Sequence, residues 1–420
     1  MTGDRTFVIV GASLAGAKAA ETLRSEGFGG GVTLVGAERH RPYERPPLSK
    51  PYLRGEAAVD EVFVHPEGFY ADQGIQLRTG SPVATLDRRR QEVVLEDGDR
   101  LAYDRLLLAT GAEPRRLDVR GAELDGICYL RSLDDADRLR ARLATASSVV
   151  VVGGGWIGAE VAASARQLGR RVTMVHPHQA PLQTVLGPEV AAVFRALHAD
   201  HGVEMRMSTR VESFGGATAV EEVVTDHGDM IPADLVVVGA GATPRTRLAL
   251  EAGLRVDDGV LVDGDLRTSD ERIFAAGDVA SAWHPLLGRR VRVEHWANAL
   301  HQGPAAARNM LGQATPYERL PYFFSDQYDL GMEYLGHAPA AQRVVFRGDP
   351  ATRAFIAFWI EGDRVAAAAN VNVWDVVEAL RRIITSRQPV DDDELRDPDV
   401  PLDALARDLV ARAPTDGDPA

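Results

Sequence analysis

The stretch VVVVGGGWIGAEVAASARQLGRRVTMVHPHQ (149–179) decides the fold. Four consecutive valines predict a strand, and the small-residue run that follows predicts a helix stopped at Gly169. Between them Gly153, Gly155 and Gly158 stand at the spacing G-x-G-x-x-G, and VTMV (172–175) returns as a second strand. Strand, glycine turn, helix and strand make the βαβ unit of a dinucleotide-binding domain. The first glycine allows the tight turn, the second lets the backbone approach a pyrophosphate, and the third lets helix and strand pack closely. The helix N-terminus offers free N–H groups to the phosphates.

The unit ends unusually. An Asp or Glu after the second strand normally receives the adenosine ribose hydroxyls, but here Val175 is followed by His176, Pro177 and His178. A carboxylate at that place binds the diol of NADH and repels the extra phosphate of NADPH. Histidine does not repel it, and His176 or His178 can donate a hydrogen bond to it, more strongly when protonated. The expectation is an enzyme that uses both NADH and NADPH. Arg170 and Arg171, just before the strand, read as solvated helix-end residues.

A second copy of the pattern lies nearer the N-terminus. FVIVGASLAGAKAAETLRSEG (7–27) leads into VTLVG (32–36), with Gly11 and Gly16 in place and Ser13 for the middle glycine. Serine is small enough for close approach, and its hydroxyl can itself reach a phosphate. Glu38 fits the acid expected about 20 residues further on. Two more apolar strands end in glycine, RLLLATGAEP (105–114) and LVVVGAGATP (235–244), and each reads as closing its sheet and crossing to the neighbouring domain. IFAAGDVA (273–280) predicts a strand, a Gly277-Asp278 turn and a helix. An Asp in such a turn can bind a ribityl or ribose hydroxyl, and its pairing with GASLAG points to FAD. Beyond 321, RVVFRG and AFIAFWI alternate as strands before a helix, VWDVVEALRRIITS. The tail from Pro389 is rich in Asp and Pro, and its last eight residues read as disordered.

The fold class these elements predict is α/β, with two Rossmann-like dinucleotide-binding domains, the NAD(P)H domain inserted in the FAD domain, and a C-terminal α+β domain. The expected bounds are 1–112 with 245–320 for FAD, 113–244 for NAD(P)H and 321–420 for the last. A chain of 420 residues exceeds one ordinary core, and 45% hydrophobic with 26% charged residues is the balance of a globular protein. Asp plus Glu outnumber Lys plus Arg 61 to 47, which argues against nucleic acid or an anionic membrane as the general partner. The N-terminal run from Thr6 goes straight into an apolar strand with no signal pattern, and no apolar run is long enough to span a bilayer, so the expected location is the cytoplasm. Cys128 is the only cysteine, which excludes an internal disulfide or dithiol pair. No metal site is expected.

RPYERPPLSK (41–50) adds a proline-stiffened loop that carries Arg41, Arg45 and Lys50, cations able to stabilise a reduced, anionic flavin. Taken with GASLAGAKAAETLR, LLLATGAEPR, GGGWIGAE, GAGATP, IFAAGDVA, VEHWANALHQG and YFFSDQYDLGMEYLGH, in that order, it makes the chain resemble bacterial ferredoxin reductases of the putidaredoxin reductase and dioxygenase-reductase type. The resemblance runs to about residue 385. It implies bound FAD, an NAD(P)H site and electron delivery to a small iron–sulfur ferredoxin that serves an oxygenase. It implies a Lys50–Glu160 pair beside the reactive edge of the flavin, where a buried Lys needs a partner and a cation favours hydride acceptance. It also implies that Arg45 and Pro46 line the flavin and that Glu294, His295 and Trp296 meet its ring. Further cofactor contacts are implied for Leu14, Ala15, Ala109, Thr110, Gly111, Arg131, Trp156, Ile157, Gly239 and Gly241. Phe324 stands where several relatives carry Trp, which weakens any stacking there.

The lone Cys128 separates this chain from disulfide reductases of related architecture, which relay electrons through a cysteine pair. Two rival readings are a quinone or oxygen reductase, marked by an apolar helix stripe of Trp374, Val377, Leu380 and Ile384, and a redox-sensing flavoprotein of the apoptosis-inducing type. The stripe more often packs on its own domain, and the insertions of the sensing type are not found. Docking of an acidic ferredoxin to an acidic chain needs a local basic face, for which Arg289, Arg290, Arg381, Arg382 and Arg387 are candidates. The expected state is a monomer or weak homodimer.

Overall fold

The computed structural model describes residues 5–339 and 341–412. The tail read as disordered, 413–420, lies outside the described residues. The chain divides into two compact units, Met1–Pro46 with Ala58–Glu113 and Ala242–Arg319, and Pro47–Ala57 with Pro114–Gly241 and Leu320–Ala420.

In the first unit a five-stranded sheet runs in the order Ile273–Ala275, Arg105–Leu108, Thr6–Val10, Gly31–Val35, Ile75–Arg78. Every neighbouring pair is parallel. From the far edge the strands follow the chain order 3-2-1-4-5, so the order reverses at Thr6–Val10, where open α/β sheets bind their ligands. Phe7, Val8 and Ile9 are fully buried. A parallel strand covered on both faces needs such a continuous apolar run. Helix Leu14–Ser25 leaves the end of that strand. Helix Trp296–Leu311 lies against it so closely that a Cβ on Gly303 would stand 2.2 Å from the Ala15 carbonyl oxygen.

The GDVA segment differs from its expectation. Gly277–Val279 makes one 3₁₀ turn, and Ala280–His284 is a strand, parallel to Gly259–Val262 and antiparallel to Arg289–Val291. Tertiary pairing wins over the helix-favouring alanines, because the segment finds a strand partner on each side.

The second unit repeats the design. Its parallel sheet runs Glu204–Met207, Arg171–His176, Ser148–Val152, Leu235–Val238, Ile127–Tyr129. Helix Trp156–Gln167 follows the glycine turn. In both units a three-stranded antiparallel sheet precedes the strand that ends in glycine, Val83–Ala102 in one and Val211–Pro232 in the other. The second unit also holds a five-stranded antiparallel sheet, Tyr322–Gln327, Leu330–Gly336, Arg364–Val371, Ala354–Glu361, Arg343–Asp349.

The expected helix from 373 begins only at Val377, because Asp375 takes a left-handed φ of 62°. Trp374 therefore falls outside the stripe and is 54% exposed, while Leu380 and Ile384 are buried. The apolar face of Val377–Ser386 packs on its own unit, partly against helix Leu402–Arg412 with Leu405, Ala406 and Leu409 buried.

Candidate functional site

The first unit assembles one group of the residues singled out in the sequence. Gly11 has a φ of 120°, and a Cβ there would lie 2.0 Å from the Ala109 carbonyl oxygen, so only glycine fits the crossing of these two strand ends. Gly16 is required in the same way, 2.0 Å from the Gly11 oxygen. Ser13 is different. It caps helix Leu14–Ser25 in an extended conformation, and its hydroxyl makes no capping bond, which leaves it for another acceptor. Ala15 and Gly277 meet at the same end of the sheet, where a Cβ on Gly277 would stand 3.2 Å from the Ala15 Cβ. Gly277 donates its N–H to Gln302 Oε1 at 2.9 Å, and Asp278 beside it is 9% exposed. Glu38 accepts from the Tyr43 hydroxyl and from Arg45 at 3.3 Å. Burial opposes the charge on Arg45, but Tyr43, Glu38 and Asp278 outweigh it and raise its pKa. Burial raises the pKa of Glu44, against a hydrogen bond from Trp296. Glu294 pairs with Arg292 at 2.6 Å, and His295 caps helix Trp296–Leu311. Thr110 Oγ1 donates to the Arg245 carbonyl at 2.9 Å, beside Gly111 at φ 68°.

The second unit holds the other turn. Gly153, at φ 104°, would place a Cβ 2.3 Å from the Gly239 oxygen, and Gly158 would place one 2.0 Å from the Gly153 oxygen. A Cβ on Gly155 meets nothing within 4 Å. Two of the three glycines thus serve the fold, and the space beside the middle one is open to a ligand, which is what a pyrophosphate cradle requires. Gly241 has a φ of 96°. Trp156 packs edge-on to Phe323 at 4.5 Å between ring centroids, while Ile157 is 42% exposed. Arg131 donates its backbone N–H to Asp135 just before helix Leu133–Thr145.

At the ribose end of this turn the structure corrects one expectation. The strand extends through His176, whose ring is buried, and His176 Nδ1 accepts the Gly154 N–H at 2.9 Å. Burial, then the neighbouring His178, pushes the imidazole down to about 4. Burial thus holds His176 neutral and takes it out of the role of a protonated phosphate donor. The ring is neutral with its proton on Nε2, a single uncharged donor. Arg170 and Arg171 are engaged elsewhere, with Ala144 O and Ser148 Oγ.

Lys50 and Glu160 come together in the second unit. Lys50 Nζ is 3.3 Å from Glu160 Oε1, and the two side chains are 9% and 7% exposed. Glu160 also accepts from Ser49 Oγ on its other oxygen and from Ser325 Oγ at 2.8 Å. Lys50 Nζ stands 4.8 Å from the centroid of the Phe324 ring, a cation–π contact. The proline loop supplies both Ser49 and Lys50 because Pro46–Ser49 winds into a 3₁₀ turn. Ser49, Ser325 and Glu44 escaped the sequence reading. They sit inside the quoted motifs YERPPLSK and YFFSDQ, and only their long-range partners mark them.

Of the candidate docking arginines, Arg290 is tied to the Val262 and Ser281 carbonyls. Arg381 pairs with Glu378, Arg382 with Glu378 and Asp403, and Arg387 ends its helix at a left-handed φ of 53°. Cys128 lies half-buried on strand Ile127–Tyr129, its thiol pKa raised by burial. Among the described residues no group of three or more His, Cys, Asp or Glu could hold a metal ion, and no helix is long and apolar enough to cross a membrane.

Two parallel sheets, each with its own glycine turn, define a flavoprotein that also binds a nicotinamide dinucleotide. The chain belongs to the pyridine nucleotide-disulphide oxidoreductase family, whose model matches residues 5–303, with a reductase C-terminal domain over 322–406. It is an oxidoreductase with FAD and NAD(P)H as cofactors. It is 43% identical to the ferredoxin–NAD(+) reductase component of the anthranilate 1,2-dioxygenase system of Burkholderia cepacia, over 94% of this chain and 98% of that protein. It is 39% identical to putidaredoxin reductase of Pseudomonas putida, over 98% of each. The solved covalent putidaredoxin reductase–putidaredoxin complex superposes with a TM-score of 0.93, covering 98% of this chain and 99% of that one.

Proposed function

We propose that this protein carries electrons from NADH or NADPH through FAD to a small iron–sulfur ferredoxin that serves an oxygenase. The observation that carries the reading is a lone cysteine in a chain built on the disulfide-reductase plan. With no dithiol to receive them, electrons leave directly for an external acceptor. The full-length likeness to ferredoxin reductases of oxygenase systems supports ferredoxin as that acceptor. The apolar face of Val377–Ser386 is spent on its own unit, so the mark of a quinone reductase is missing there.

Gly11, Ser13 and Gly16 receive the diphosphate of FAD, Glu38 its ribose, and Asp278 a ribityl hydroxyl, with Arg45 holding Glu38 in place. The GDVA turn acts through Asp278 and the Gly277 backbone alone, since no helix follows it. Gly155 and the start of helix Trp156–Gln167 receive the nicotinamide cofactor's diphosphate, and His176 Nε2–H meets its adenosine ribose. Lys50, fixed by Glu160, supplies positive charge where the acceptor gains electron density. FAD, when bound, supplies the chemistry that converts a hydride into single electrons. The domains are assigned as 1–112 with 245–320, 113–244 and 321–420, and the protein as cytoplasmic, monomeric or weakly dimeric. The test is steady-state reduction of cytochrome c with and without added [2Fe–2S] ferredoxins. Ferredoxin-dependent turnover is expected; equal turnover without ferredoxin overturns the reading.

A further inference from the structure

A file of polar side chains leads away from the Lys50–Glu160 pair through the second unit. Ser325 Oγ donates to Glu160 Oε1 at 2.8 Å, and Gln327 Nε2 donates to Ser325 Oγ at 3.2 Å. Gln327 Oε1 meets His198 Nε2 at 2.9 Å, and His198 Nδ1 meets the Tyr328 hydroxyl at 3.3 Å. Ser325, Gln327 and His198 are at most 1% exposed. His198 comes from helix Gln183–Asp200 and the other three from one hairpin. Tyr328 opens the turn of that hairpin with a left-handed φ of 57°, and its ring stacks on His201 at 3.7 Å.

The chemistry of the groups fixes the direction of every bond. An amide nitrogen only donates, so Ser325 Oγ accepts from Gln327 and its own proton goes to Glu160. The amide oxygen only accepts, so His198 carries its proton on Nε2 and leaves Nδ1 bare for the Tyr328 hydroxyl. Burial, first of all, pushes the His198 imidazole down to about 4, consistent with that neutral tautomer. All four bonds therefore donate toward Glu160. Such a file cannot conduct protons repeatedly, because the amide would have to reverse end for end. It can hold a hydroxyl still.

We infer that Gln327 and His198 are positioning residues for hydride acceptance: they lock the Ser325 proton onto Glu160. With Ser49 and Ser325 occupying the Glu160 carboxylate, Lys50 keeps one long contact to it, so its charge is not fully spent on that carboxylate. Without the file, Ser325 rotates, Glu160 loses an acceptance, and Lys50 closes on the carboxylate. This inference rests on the role proposed above for Lys50 and Glu160.

The experiment is anaerobic stopped-flow reduction of the holoenzyme's flavin by NADH, read as a limiting rate constant and an apparent Kd. The variants are Gln327→Met, His198→Leu, His198→Gln and Lys50→Gln, with FAD content and Tm measured for each. Gln327→Met, nearly isosteric but unable to bond, should lower the limiting rate about tenfold with the NADH Kd unchanged. His198→Leu should do the same, and His198→Gln, which keeps a donor for Gln327, should stay within about threefold of wild type. Wild-type rates in Gln327→Met and His198→Leu, beside a slow Lys50→Gln, overturn the inference and leave the Lys50 reading standing. Equal losses in His198→Gln and His198→Leu that track Tm mean packing alone and also overturn it. A wild-type rate in Lys50→Gln removes both.

Discussion

Replacing His176 by Glu puts a carboxylate where the adenosine ribose is read, and the structure sets the size of the effect. In the wild type, His176 Nδ1 is taken by the Gly154 N–H, and the ring stays neutral down to about 4. What it offers is one uncharged donor, which can bond a ribose hydroxyl or a phosphate oxygen and repels neither. A carboxylate exchanges that for a charge-assisted contact to the diol, a gain of about 1.4 kcal/mol or roughly tenfold, and repulsion of the NADPH phosphate adds to it. The ratio of kcat/KM for NADH over that for NADPH should therefore rise at least about tenfold in His176→Glu. His176→Asn, which can still accept from Gly154, should leave the ratio within about threefold. The assay is ferricyanide reduction with both cofactors at fixed ionic strength. The wild-type ratio should also be insensitive to pH between about 8 and 6.5, since this imidazole does not titrate there. A wild type already strictly selective for NADH, or a ratio unmoved by His176→Glu, would mean that His176 does not read the ribose.

Asp278→Ala should weaken FAD binding about tenfold or more, the loss of one hydrogen bond to a charged group, as read by flavin titration of the apoprotein; full retention of FAD removes Asp278 from the site. Cys128→Ser should keep ferredoxin reduction within about twofold of wild type, because the half-buried thiol has no second cysteine to relay through; a large loss in a folded variant would show a thiol step. His176 and His198 both fall from 6.5 to about 4 on burial, so the unfolded chain binds their protons first as pH drops. Their contribution is full above pH 6.5 and is lost as pH falls toward 4, up to roughly 3 kcal/mol each. Thermal melts from pH 7.5 to 4.5 should fall less steeply for His176→Asn and His198→Gln than for wild type, and parallel slopes would contradict this.

The glycine turns were legible in the sequence because steric demand wrote them: Gly11, Gly16, Gly153 and Gly158 each sit where a Cβ would strike a backbone oxygen. The partnership of Lys50 and Glu160 was legible only through family likeness, since 110 positions separate them and no local pattern joins them. GDVA misled because alanines favour helix in isolation, whereas Ala280–His284 found two strands to pair with. Arg364–Val371 drew no reading from the sequence, yet it fills the middle of the antiparallel sheet with Ala367, Ala368 and Ala369 fully buried, tertiary pairing again overriding the helix propensity of alanine. His176 carried a misleading signal of its own. Its identity was plain, but its charge state depends on burial and its tautomer on the Gly154 N–H, and neither is visible in a string of residues.

Electron transfer to ferredoxin is measured by anaerobic double-mixing stopped flow. The holoenzyme is first reduced with one equivalent of NADH, then mixed with a [2Fe–2S] ferredoxin, a water-soluble quinone or oxygenated buffer, while flavin absorbance is followed. Flavin reoxidation should saturate with ferredoxin concentration, slow with added salt, and outrun both other acceptors. Reoxidation faster with quinone or oxygen than with every ferredoxin tried would contradict ferredoxin as the acceptor.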